Sequence, residues 1–199
     1  MAYVILGLGN PGGEYEHTRH NAGRMAAELF AKREGMSEFK AKKSAQALVA
    51  EGAVDGEKVV VALPETYMNV SGKTAAALVK SKPAAKKLLV IRDELDLPLG
   101  AIKMTTYGRG AGGHKGTESV MRALKTKDFA QIKIGISSAT PKGKLRKVSG
   151  EEKVISHVIG KFKPGEEAAL KESLAKAAEA ARLFVSDGIE KAMLYANTR

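Results

Sequence analysis

Amide, imidazole and carboxylate side chains stand just after apolar runs of this chain, the placement that general acid–base hydrolysis needs. The first run, Tyr3-Val-Ile-Leu-Gly-Leu, empties into Gly9-Asn10-Pro11-Gly12, then Tyr15 and the cluster His17-Thr18-Arg19-His20-Asn21. Tyr67, Met68 and Asn69 follow a run ending near Leu63, Asp93 ends Leu88-Leu-Val-Ile-Arg-Asp93, and Gly112-Gly113-His114 follows a run at 101 to 106. Open α/β sheets take their ligands outside the carboxyl ends of the strands, so polar groups there are site candidates. If the strands are mainly parallel, the four loops meet at one edge. A histidine beside a carboxylate is the minimal general-base unit, because the carboxylate fixes the tautomer and stabilises the imidazolium that forms. The chain has no cysteine, and Ser71 sits where a helix N-cap is expected, which points to water as the nucleophile.

Other chemistries compete for the same residues. Gly7, Gly9 and Gly12 satisfy the spacing G-x-G-x-x-G, but a dinucleotide site needs the helix to open at the glycines. Here Pro11, Gly12 and Gly13 prolong a loop, and helical periodicity starts only near Asn21. His17 and His20 are three apart without a third ligand nearby, a poor metal site. Asp93-Glu94 fits a turn, a helix start or a magnesium ligand. His17 and His157 read as structural or exposed. Residue type and position alone stop at a hydrolase with a basic surface.

The elements that would position these groups follow from hydrophobic period. Apolar runs at 2 to 8, 45 to 50, 58 to 63, 87 to 92, 101 to 106 and 131 to 136 predict strands. Ala22, Met25, Ala26, Leu29 and Phe30 form a helical stripe; Ala75, Leu78 and Val79 form another after Ser71, and Val120, Met121 and Leu124 a third. Over 165 to 197, Leu170, Leu174, Ala178, Ala181 and Val185 keep helical spacing before Asp187-Gly188-Ile189-Glu190 marks a break and a capped restart. Strands interleaved with helices predict an α/β fold, a twisted, mixed, mostly parallel sheet with helices on both faces, in one domain over 1 to 199. Residues 138 to 153, Gly-rich and basic, read as a mobile loop.

The 199 residues suffice to bury roughly 70% of the unfolded surface around one core. No apolar run reaches a membrane span of about 20 residues and no signal-peptide pattern opens the chain, so a cytoplasmic protein is expected. The net charge of +11 favours a polyanionic partner. Lys142, Lys144, Arg146 and Lys147 form one basic run, and Lys80, Lys82, Lys86 and Lys87 another. Aromatics are only 5% with no Trp, so phosphate contact is a better expectation than a platform stacking several bases.

The motifs together resemble the bacterial peptidyl-tRNA hydrolases. Gly7-Leu-Gly-Asn-Pro-Gly12, Tyr15, Thr18-Arg-His-Asn-Ala-Gly23, Tyr67-Met-Asn-Val-Ser-Gly72, Asp93-Glu-Leu-Asp-Leu-Pro98 and Gly112-Gly-His114 carry the likeness in order, and Ala192-Met-Leu-Tyr-Ala-Asn197 is similar to the family's C-terminal end. The resemblance implies an α/β monomer without cofactor or metal that hydrolyses the ester between peptide and tRNA. It implies His20 as the base that activates water and Asp93 as the group holding it in basic form. Asn10 would distinguish an N-acylated substrate from free aminoacyl-tRNA, and Tyr15, Tyr67, Asn69, His114 and Lys115 would contact the substrate. Lys103 and Lys133 match basic residues that clamp the terminal phosphate. The chain departs from the family at Lys115, where an amide is usual, and at Thr105, where a basic residue is often found. A non-catalytic RNA-binding relative is the rival reading; His20, Asp93, Asn10 and Asn69 standing together argue against it.

Overall fold

A computed structural model describes residues 1–140, 145, 146 and 148–198. Seven strands form one sheet in the order β2-β3-β4-β1-β5-β7-β6: β1 Tyr3–Gly7, β2 Lys40–Lys42, β3 Ala47–Val54, β4 Glu57–Pro64, β5 Leu88–Pro98, β6 Ile102–Thr105 and β7 Ala130–Ser137. The central four, β4, β1, β5 and β7, are parallel, and the hairpin partner β3 and the edge strand β6 run against them. The sheet is therefore mixed and mostly parallel, as expected. Central strands covered on both faces read as continuous apolar runs because neither face meets water.

Helices lie on both faces. α1 (Ala22–Arg33) and α5 (Glu167–Ser186) bury Phe30 and Phe184 against Ile5, Ile91 and Ile132. α2 (Gly72–Leu78) and α3 (Lys115–Leu124) bury Ala75 and Val120 against Leu6, Leu88 and Val90. α4 (Glu151–Ile159) flanks the site, and α6 (Ile189–Asn197) follows α5 after Gly188. The Asn197 amide docks α6 on β6: it donates to the Met104 carbonyl at 3.1 Å and accepts from the Met104 N–H at 2.9 Å.

Several expectations are corrected. β5 does not end at Asp93 but continues to Pro98, paired to β7 through a register shift between Glu94 and Pro98. Asp93 is thus a strand residue. Ser71 stands at the N-cap of α2 as expected, but its hydroxyl makes no capping bond and donates instead to the Met68 carbonyl at 2.9 Å. The restart at α6 has Gly188 at its N-cap and no side-chain cap. The helix opening at Glu151 makes 151–153 helical, not loop. Of the basic run, Lys142, Lys144 and Lys147, with Pro141 and Gly143, lie outside the described residues.

Candidate active site

His20 and Asp93 reach one another because α1 is pressed onto the sheet at its first turn. A Cβ on Gly23 would lie 2.2 Å from the Ile91 carbonyl oxygen, so only glycine lets the helix start this close to β5. The 3-10 turn Arg19–Asn21 just before α1 then hangs His20 over Asp93, midway along that strand. Arg19 pins that turn from the other side. Its guanidinium meets Glu166 at 2.6 Å, donates to the Lys161 carbonyl, and stacks 5.0 Å from the Phe162 ring centroid.

His114 comes by another route than a parallel-strand loop. β6 is antiparallel to β7, so its exit lies away from the site. The chain returns across the sheet face, with Gln131 Nε2 donating to the Arg109 carbonyl at 3.2 Å and Arg92 Nη2 to the Ala111 carbonyl at 3.1 Å. Gly112 and Gly113 take φ of 61° and 79°, turning the chain into α3 with His114 as its N-cap.

The three side chains converge on one atom. Asp93 Oδ1 lies 2.9 Å from His20 Nδ1 and 2.9 Å from His114 Nε2. The backbone N–H of Thr117 donates to His114 Nδ1 at 3.2 Å, so that nitrogen carries no proton and the Nε2–H donates to Asp93. The carboxylate likewise accepts a hydrogen bond from the His20 Nδ1–H, which leaves the Nε2 lone pair of His20 free to act as a base. Burial opposes ionising Asp93, but the two imidazoles beside it hold its carboxyl well below the usual range. Burial also disfavours protonated His20; the charge and hydrogen bond of Asp93 outweigh it and raise its pKa above 6.5. At His114 burial prevails, with Arg92 adding to it, and the pKa is lowered. One histidine is poised to titrate and the other is held neutral.

The same cluster is the metal candidate, since donor atoms of His20, Asp93 and His114 lie within 4.8 Å of one another. A cation there would need a lone pair on His114 Nε2, but the Thr117 N–H occupies the lone pair of Nδ1 and so leaves the ring proton on Nε2. The donor set fits a hydrogen-bonded relay better than a metal. His17, exposed at φ 61°, lies outside the cluster, and His157 faces the Ile136 carbonyl at 3.1 Å.

A cleft of ≈ 350 Å³ opens beside the triad, walled by Val154, Ile155 and Val158 of α4 and rimmed by Lys115 and Glu151. Asn10 lines a separate ≈ 180 Å³ cavity with Asn21, Arg24 and Glu28. Its Oδ1 accepts from the Met68 N–H at 2.8 Å, and Asn21 brackets its backbone at both N–H and carbonyl. The Asn10 Nδ2 is therefore the end left to donate. Tyr15 and Tyr67 form an edge-to-face pair, centroids 6.4 Å apart, beside the exposed Asn69. Lys103 and Lys133 are register partners on β6 and β7, and Glu94 stands between Lys133, at 3.6 Å, and Arg92, at 3.2 Å. Lys115 pairs with Glu151 at 3.6 Å across the cleft mouth.

The sequence profile of the peptidyl-tRNA hydrolases matches residues 4–199. The chain belongs to that family. It is 40% identical over 196 residues to the peptidyl-tRNA hydrolase of Brevibacillus brevis, covering 98% of this chain and 97% of the relative. To that of Thermoanaerobacter sp. it is 41% identical over 192 residues, 96% and 97% of the two chains. The crystal structure of peptidyl-tRNA hydrolase from Acinetobacter baumannii superposes with a TM-score of 0.86 at 32% identity, covering 99% of this chain and 95% of that one.

For a chain of the peptidyl-tRNA hydrolase family, the site residues named from sequence fall into three groups: the triad with Lys115, Asn10 bonded to the segment that carries Tyr67 and Asn69 with Tyr15 against Tyr67, and the Lys103–Lys133 pair. His114, expected to touch substrate, has both ring nitrogens committed within the protein. Arg19 and Arg92 were not foreseen. Buried arginine is the one signal that pointed to them, and only the structure shows the burial.

Proposed function

We propose that this chain hydrolyses the ester joining a peptide to the terminal ribose of tRNA. His20 Nε2 takes a proton from a water held in the cleft as that water attacks the ester carbonyl; Asp93 stabilises the imidazolium that results. The proton then passes to the ribose oxygen as it leaves. An ester is already activated, so one positioned base suffices. Asn10 donates through Nδ2 to a carbonyl of the N-acyl group, a contact that a substrate with a free ammonium has no matching group to complete. Tyr15, Tyr67 and Asn69 receive the substrate end, and Lys103 and Lys133 hold a terminal phosphate through charge-assisted contacts. The protein acts as a monomer in the cytoplasm, where peptidyl-tRNA arises.

The observation that carries this reading is the 2.9 Å contact between His20 Nδ1 and Asp93 Oδ1 at the edge of an open cleft. A purely RNA-binding role gives that pair nothing to do. The test is release of tRNA from N-acetyl-aminoacyl-tRNA by the wild type and by His20→Ala, with tRNA binding followed in parallel. Turnover lost and binding kept supports the assignment; equal turnover by both removes His20 from the mechanism. No helix among the described residues is long and apolar enough to cross a membrane.

A further inference from the structure

Arg92 is the largest fully buried side chain of the described residues, 1% exposed, one position before Asp93 on β5. Burying a guanidinium costs its hydration, which only good partners offset. Its Nη1 donates to the Asp93 carbonyl at 2.8 Å, and its Nη2 donates to the Ala111 carbonyl at 3.1 Å and meets Glu94 at 3.2 Å. The Ala111 carbonyl also accepts from the His114 N–H at 3.2 Å, so one oxygen both closes the turn that presents His114 and receives the guanidinium. A Cβ on Gly112 would stand 3.6 Å from the same Nη2. The backbone of the returning segment rests on Gln131 and Arg92, two buried polar residues of β7 and β5.

We propose that Arg92 is a positioning residue, tying the Ala111–His114 turn to the strand that carries Asp93 and thereby fixing the angle at which His114 and His20 share Asp93 Oδ1. Arginine suits the task because its planar fork reaches the Asp93 and Ala111 carbonyls at once; a lysine ammonium has the charge but not that geometry. The clamp acts on the turn and not on the core, so its loss alters the site in a folded protein. The inference rests on the hydrolytic reading of the site.

The test is Arg92→Lys, alone and combined with His114→Ala, in the full chain. Arg92→Lys is expected to fold cooperatively and to lose about tenfold or more in kcat on N-acetyl-aminoacyl-tRNA, since small misplacements of a catalytic group are costly in rate. KM should stay within about threefold, as the residues assigned to substrate are all kept and the charge at position 92 is retained. In the His114→Ala background the same substitution should cost less than about threefold, because residues acting through one another are non-additive. Histidine 15N spectra should show His114 as a single Nε2–H tautomer in the wild type and as a mixture in Arg92→Lys. Full kcat with an unchanged ring signature, an additive loss in the double variant, or failure of Arg92→Lys to fold overturns the proposal. A wild type inactive on this substrate defeats the functional reading instead, and the ring spectra still decide the role of Arg92.

Discussion

His20 and His114 donate to the same oxygen, Oδ1 of Asp93, each from 2.9 Å, yet their proton affinities are driven in opposite directions. His20 reaches the cleft with a side chain 16% exposed, while His114 is sealed at 6% and held by the α3 backbone. The exposed ring gains from the carboxylate; the sealed one loses more to burial.

The base must be neutral to accept a proton, so kcat/KM should rise with pH through the raised pKa of His20. The acid limb of the profile is expected above 6.5, the ordinary imidazole value. The sign for stability is opposite: a raised folded pKa adds stability below 6.5 that disappears as pH climbs through the folded value. A profile measured from pH 5 to 9 checks both, and an acid limb at or below 6.5 contradicts the pairing. His20→Ala should lose roughly 10²-fold or more in rate while still binding tRNA.

Asp93→Asn keeps size but offers His20 an amide, which can donate to Nδ1 and send the ring proton to Nε2, where the lone pair is needed. A fall in kcat of about 10²- to 10⁴-fold is expected. The folded carboxyl is depressed below 3.8, so the stability it adds is present above that value and lost as pH falls through the folded pKa. Melting temperatures of wild type and variant should converge as pH falls below 3.8. A constant difference across that range would falsify the linkage.

Asn10→Asp removes the one free donor of that side chain and leaves the oxygen that accepts from the Met68 N–H. The preference for N-acetylated over free aminoacyl-tRNA should shrink with little change in fold. Comparing kcat/KM for the two substrates decides; an unchanged ratio removes Asn10 from acyl recognition.

Lys115 and Glu151 are 65% and 80% exposed, and such pairs contribute about 0–1 kcal/mol, so tRNA phosphate can displace the carboxylate. Lys115→Ala should flatten the slope of log K against log salt by about 0.7 to 0.9 if one phosphate is engaged. Its rate at saturating substrate should stay within about tenfold of wild type, a role in binding and not in the transition state. Glu151→Gln, freeing the cation, should tighten binding at low salt. Identical salt slopes in wild type and Lys115→Ala would make Lys115 a solvated residue of the first turn of α3 with no phosphate contact.

The sequence revealed most where apolar period was uninterrupted. β1, β4 and β7, the stripes of α1 and α5, and the residues Asn10, His20 and Asp93 could all be placed from pattern and position. Departures arose where backbone contacts override composition. Lys40–Lys42 is too short and charged to read as a strand, which is how edge strands avoid unwanted pairing. Asp55 and Gly56, with φ of 47° and 82°, form the hairpin turn that carries β3 through Gly52-Ala53-Val54, past its expected end. Asp-Glu-Leu-Asp-Leu-Pro98 looks like a loop, but β7 and the Ser137 hydroxyl, donating to the Leu95 carbonyl at 2.7 Å, keep it extended. The sharing of Asp93 by two histidines depends on the antiparallel course of β6 and the return of the chain over Gln131 and Arg92, for which no local pattern exists.

The grip of Asn197 on Met104 closes more than a helix contact. β6 is the last strand of the sheet, and the N–H and carbonyl that Asn197 satisfies are the ones facing away from β7. An open rim of that kind is a template on which another chain can extend the sheet. One amide side chain near the C-terminus thus works as a guard against self-association, and removing it would be felt first as lost solubility and aggregation during expression, before any change at the distant histidines.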